Sequence, residues 1–122
     1  MKAAIFCLSF LLLLFGGSYF YSAQMADTAN AFAKQAKILI TVEDNECQEK
    51  IKTLDEEWRK KEIWFSLSIP HGELDRIETE LVRISAAAKA KDDGEFQIAV
   101  ALLADAFEHI GKLYEASPDN IL

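Results

Sequence analysis

From Ala3 to Ala26 the chain carries no charged residue, and this run constrains everything that follows it. It reads AAIFCLSFLLLLFGGSYFYSAQMA. At ~1.5 Å rise per residue, a helix of this length crosses the ~30 Å hydrocarbon core of a bilayer with some tilt. Asp27 to Leu122 holds nearly all the charge and is read as a domain held at a membrane surface. The chain's location and fold class are legible here; a chemical activity is not.

A secretory signal shares this opening of a basic residue, an apolar stretch and then polar sequence. The cleavage site is missing. Cutting after Ala23 would put Tyr21 at the minus-three position, and cutting after Ala26 would put Gln24 there, neither of them small. Cys7 has no leucine three residues earlier and comes too soon for lipoprotein processing. Tyr19, Phe20 and Tyr21 suit an interfacial aromatic belt instead. Residues 1–26 are therefore expected to be an uncleaved, single-pass cell-membrane anchor that meets the lipid through Ala3–Ala26. Lys2 on one side and Asp27 on the other favour a cytoplasmic N-terminus and an extracytoplasmic domain, although Lys34 and Lys37 weigh against that orientation. Gly16-Gly17-Ser18 gives the span a small-residue patch for self-association and a place to bend.

The domain carries twelve basic against twenty acidic residues, 12 minus 20 or −8. That charge opposes DNA, RNA and anionic headgroups, so no nucleic-acid partner is expected, and peripheral lipid docking fits poorly. With about 96 residues after the run, there is room for one small domain. Cys7 falls in the membrane run and Cys47 on an apolar helical stripe, so an intrachain bridge between them is geometrically unfavourable.

Helical spacing dominates the rest. Ala29, Phe32, Ala36 and Leu39 recur at three and four; so do Cys47, Ile51, Leu54 and Trp58. Leu74, Ile77, Leu81, Ile84 and Ala88 form a third stripe, and Phe96, Val100, Leu103, Phe107 and Ile110 a fourth. The expectation is all-α: an N-terminal transmembrane helix, then an antiparallel bundle with helices at about 27–42, 45–66, 70–91 and 95–115, and a tail at 117–122. No breaker separates the span from the helix after it. Glu43-Asp44-Asn45 and Asp92-Asp93-Gly94 read as turns, and Ser68 as an N-cap ahead of Pro70. On the outer face of the second helix, Glu46–Lys50, Asp55–Arg59, Glu56–Lys60 and Glu57–Lys61 are spaced to pair.

At an offset of 49 residues the two halves correspond. Asp44 meets Asp93, Glu46 meets Glu95, Gln48 meets Gln97, and Trp58 meets Phe107. Two αα-hairpin repeats with matching core positions would produce this, and so, for the apolar matches alone, would any two amphipathic helices.

The uncharged run, then EEWRKKEIWFSLSIPHGELDRIETELVRI, then DDGEFQIAVALLADAFEHI, resembles the small membrane-anchored bacterial proteins grouped as domain of unknown function 4363. Shared features are the anchor, a Trp-bearing helix, His71-x-Glu73-x-Asp75 and the closing Glu108-His109-Ile110. The resemblance implies a Gram-positive, often spore-forming source, with genes near that of another small membrane protein. It implies no activity.

His71 and Asp75 are four apart, a metal-ligand spacing, and an antiparallel hairpin brings His109 to the same end of the bundle. The competing reading has His71 and Asp75 bonding each other and the first-turn N–H groups. Trp58 lies on the core stripe. Trp64 either fills the gap between hairpins, the favoured reading, or forms an interaction surface with Phe65 and Ile69 facing a partner or the membrane. No catalytic constellation and no cofactor site stands out. The chain is read as a non-enzymatic, membrane-anchored interaction module whose partner is another membrane protein or a second copy. The alternative is a metal- or small-ligand sensor using His71, Asp75 and His109.

Overall fold

The computed structural model describes the backbone of residues 1–121 and the side chains of residues 1–115. Four helices follow one another: α1 (Lys2–Ile38), α2 (Asp44–Ser66), α3 (His71–Ala90) and α4 (Asp93–Ile121). No strand occurs among the described residues. The chain is all-α, as its spacing predicts. α4 continues as helix through Ile121, past the expected end at about 115, so of the tail expected over 117–122 only residue 122 lies outside the described backbone.

α1 is one rod of 37 residues, about 55 Å long. It passes through Gly16-Gly17 without leaving the helix, so the bend those glycines offered is not taken. It is exposed through Phe20; beyond that it buries Met25, Ala26, Ala29, Phe32, Ala33 and Ala36. The boundary expected after Ala26 therefore comes too late, because Tyr21 already packs against the core. Lack of charge cannot separate a lipid-facing turn from a core-facing one, and the uncharged run contains both.

α1 ends at Ile38, four residues before the expected Val42. Ile38, Ile40, Thr41 and Val42 are β-branched and lose side-chain freedom in a helix. The Thr41 hydroxyl donates to the Ile38 carbonyl at 2.7 Å, and the turn buries Leu39. Between α3 and α4 the reversal falls at Lys91, in the left-handed region at φ 55°, with Asp93 and Gly94 already helical. The Asp92 carboxylate accepts the Glu95 N–H at 3.1 Å and caps α4.

The helices form an up-down-up-down bundle in which α1 packs most closely on α4 and α4 on α3. α2 lies more loosely against α3, and most loosely against α1. Small residues set that order. Four alanines line the buried face of α1, and at Gly111 an added Cβ would sit 2.8 Å from Asn30 Oδ1. Most core positions paired by the 49-residue offset are buried in both halves: Met25 and Leu74, Phe32 and Leu81, Ile51 and Val100, Leu54 and Leu103, Trp58 and Phe107; in the pair Cys47 and Phe96 the phenylalanine is only half-buried. Both halves share one core, since the tightest pair joins the first helix to the last.

At its centre Trp58 is fully buried, 5.2 Å from Phe65, 5.5 Å from Phe107 and 5.9 Å from Phe32 between ring centroids. Such aromatic pairs contribute ~0.5–1.5 kcal/mol each beyond area burial. Of the four expected ion pairs along α2, Asp55–Arg59 forms at 3.2 Å, and the same guanidinium reaches Glu78 of α3 at 2.8 Å. The other three are absent among the described residues.

Candidate functional site

Functional interest concentrates where the exposed half of α1 enters the bundle. Because α2 runs antiparallel to α1, the α2–α3 turn comes back to this end, and so does the C-terminal part of α4. Three hydroxyls tie the elements together. Tyr21 Oη donates to the Trp64 carbonyl at 2.6 Å, an end-of-helix acceptor that α2 itself leaves free. Ser68 Oγ lies 3.4 Å from Tyr21 Oη and 2.5 Å from Tyr114 Oη. In both of these contacts either oxygen can be the donor. Burial pushes the Tyr114 phenol up to about 12; the Ser68 hydrogen bond opposes that rise and Tyr21 adds to it. Ser68 thus serves this chain rather than capping α3, whose N-cap position is Pro70.

Around this network the apolar residues divide. Phe65 and Ile69 are buried, so two of the three residues expected on an interaction surface belong to the core. The reason is helical phase: Phe65 lies seven residues after Trp58 and continues its stripe. Trp64 is 52% exposed, against the favoured core reading, and Ile63 at 66% and Leu67 at 69% flank it. Phe20, Tyr21, Gln24, Met25, Thr28, Lys61 and Trp64 line a shallow cleft between α1 and α2. Tyr21, Ser68 and Tyr114 were not singled out together by the sequence, since hydroxyls on three separate helices or turns carry no shared spacing.

The proposed metal ligands do not converge. His109 Nε2 stands 3.5 Å from Glu73 Oε1, linking α4 to α3 through an acid outside the expected metal set. His71 and Asp75 are exposed, and no hydrogen bond joins them among the described residues. No group of three or more His, Cys, Asp or Glu side chains there could hold a metal ion. Cys47 is buried, donates toward the Leu39 carbonyl at 3.5 Å, and has its thiol pKa raised by burial and by Asp44. It stays protonated and packs as a small apolar group. A second groove opens at the far end of the same loose seam, lined by Gln35, Ile38, Glu46, Glu49, Lys50 and Glu57.

The exposed half of α1 is long and apolar enough to cross a membrane, and none of it is buried in the bundle. No match is found among curated proteins or among solved structures. The family model described as "Domain of unknown function (DUF4363)" matches residues 18–121, from just before the first buried turn of α1 to the end of α4. The chain belongs to the DUF4363 family.

Proposed function

We propose that this protein is a membrane-anchored, non-enzymatic interaction module. The anchor is retained, the N-terminus is cytoplasmic, and the bundle is presented outside the cytoplasm to another membrane protein. One observation carries the reading: the apolar rod and the first core helix are a single uninterrupted α1. A bundle built on its own anchor is held at one height and one rotation above the bilayer, which suits a partner that is itself fixed in the membrane. Retention is supported by the core, because cleavage after Ala26 would remove Tyr21, Met25 and Ala26 from it. The groove along the α1–α2 seam, with Glu46, Glu49 and Glu57 around Ile38, offers an acidic, partly apolar surface suited to a basic amphipathic segment.

The test is photocrosslinking in native membranes from Thr53, exposed beside that groove, and from Ala101 on α4 as a control. A specific membrane-protein adduct at Thr53 and not at Ala101 is the expected result. Absence of any adduct, with a small ligand co-purifying instead, would sink the interaction reading. Orientation is checked separately with a membrane-impermeant thiol reagent on an Ala101→Cys variant, which labels intact cells only if the bundle is outside.

A further inference from the structure

We infer that the α2–α3 turn is a second membrane contact, seating Ile63, Trp64 and Leu67 in the headgroup and upper acyl zone of the bilayer that α1 crosses. The inference rests on α1 being a bilayer span, and the metric of that helix fixes the level. From Ala3, ~28 Å of helix reaches Tyr21, about one hydrocarbon thickness. Tyr21 is also the residue that holds the turn, through its 2.6 Å bond to the Trp64 carbonyl and its approach to Ser68. The turn is therefore hydrogen-bonded to the rod at the depth where the rod leaves the lipid.

The side chains there match that depth. Ile63, Trp64 and Leu67 are the large apolar residues that α2 and its turn leave exposed at this end, while Phe65 between them and Ile69 just beyond are buried. On a surface facing water this arrangement strands three large apolar groups; at a lipid interface Trp sits with its ring among headgroups, and Leu and Ile reach the acyl chains. Phe20 of the rod and Trp64 of the turn line one cleft, so the contact continues the surface of the span itself. Lys61 borders that cleft, and Lys60 and Lys61 are both exposed, which places ammonium groups at phosphate level. The domain's overall −8 opposes distant attraction to an anionic surface, but this end is brought to the membrane by α1 and needs none.

The experiment uses the full chain reconstituted in phosphatidylcholine vesicles, with Trp58→Phe leaving Trp64 as the one reporter. Lipids brominated near the carbonyl end of the acyl chain are expected to remove most of the Trp64 emission, while aqueous iodide removes little. Emission quenched by iodide and untouched by bromolipid would overturn the inference. Emission shielded from both bromolipid and iodide would also overturn it, by assigning the patch to a second copy. Should Trp58→Phe fold poorly, a nitroxide on Leu67→Cys in a Cys7→Ser background reads the same depth. Greater access to oxygen than to a water-soluble nickel chelate supports the inference, and the reverse overturns it. The spanning reading is scored independently by protection of Cys7 from an impermeant maleimide. Protected Cys7 with a water-exposed Trp64 removes the second contact alone; reactive Cys7 removes the span and the inference with it.

Discussion

Single side chains are where the consequences are most easily measured. Trp58 touches Phe32, Phe65 and Phe107, and its indole Nε1 is buried without a partner. Trp58→Ala removes the centre of the core and is expected to cost ~3–5 kcal/mol. Trp58→Phe keeps an aromatic ring and removes the unpartnered donor, so its cost should stay below ~1.5 kcal/mol. Chemical denaturation of both variants checks the contrast; equal losses would mean that the site requires the indole itself and that a smaller aromatic ring does not substitute for it. Tyr114 predicts a pH dependence. Burial raises its folded pKa to about 12 from the ordinary tyrosine value of 10.0, so the native state holds the proton more tightly. Stability is then complete below pH 10 and is lost as pH rises toward 12. A melting temperature followed through that window should fall for the parent and fall less for Tyr114→Phe.

Among elements, α1 is the one to perturb. Gln24 is exposed at the step from rod to bundle. Gln24→Pro deletes the bond from its N–H to the Phe20 carbonyl and brings the ring against that carbonyl, costing ~3 kcal/mol or more of helix continuity. The bundle itself should survive, because proline suits the first turn of a new helix. Spin labels at Leu13 and Ala101 are expected to give one narrow distance distribution in the parent and a broad one in Gln24→Pro. A distribution as broad in the parent as in Gln24→Pro would show that the rod and bundle are not rigidly joined, and one as narrow in Gln24→Pro as in the parent would show that the proline does not loosen the joint. Three of the four helix starts and the burial of every apolar stripe were legible from spacing, because periods of three and four follow from helix geometry alone. The phase at Phe65 was legible too, seven residues past Trp58, but Lys61 and Glu62 interrupt the stripe and hid it. The hydroxyl network and the α1–α4 closeness were not legible. They depend on which helices become neighbours, and amphipathic periodicity says only which face of each helix turns inward.

For the whole molecule, the prediction concerns where the domain begins. A fragment starting at Ser18 keeps Tyr21, Met25 and Ala26, and should melt cooperatively in aqueous buffer. One starting at Asp27 loses all three and is expected to be less stable by more than ~2 kcal/mol, the lower range for truncating a buried methionine. Thermal unfolding of the two fragments side by side decides it; indistinguishable curves would return the boundary to Ala26. The family match from residue 18 falls at the same place.

The pairing of α1 with α4 also sets an order of events during synthesis. α1 is synthesised before the helices that cover its core face. From then on the alanines and Phe32 of α1 wait for a partner helix encoded at the other end of the chain. Until α4 emerges, that face has only the loosely fitting α2 to cover it. Folding of this bundle is therefore completed by its last helix, and a stalled or shortened chain leaves α1 with its core face open.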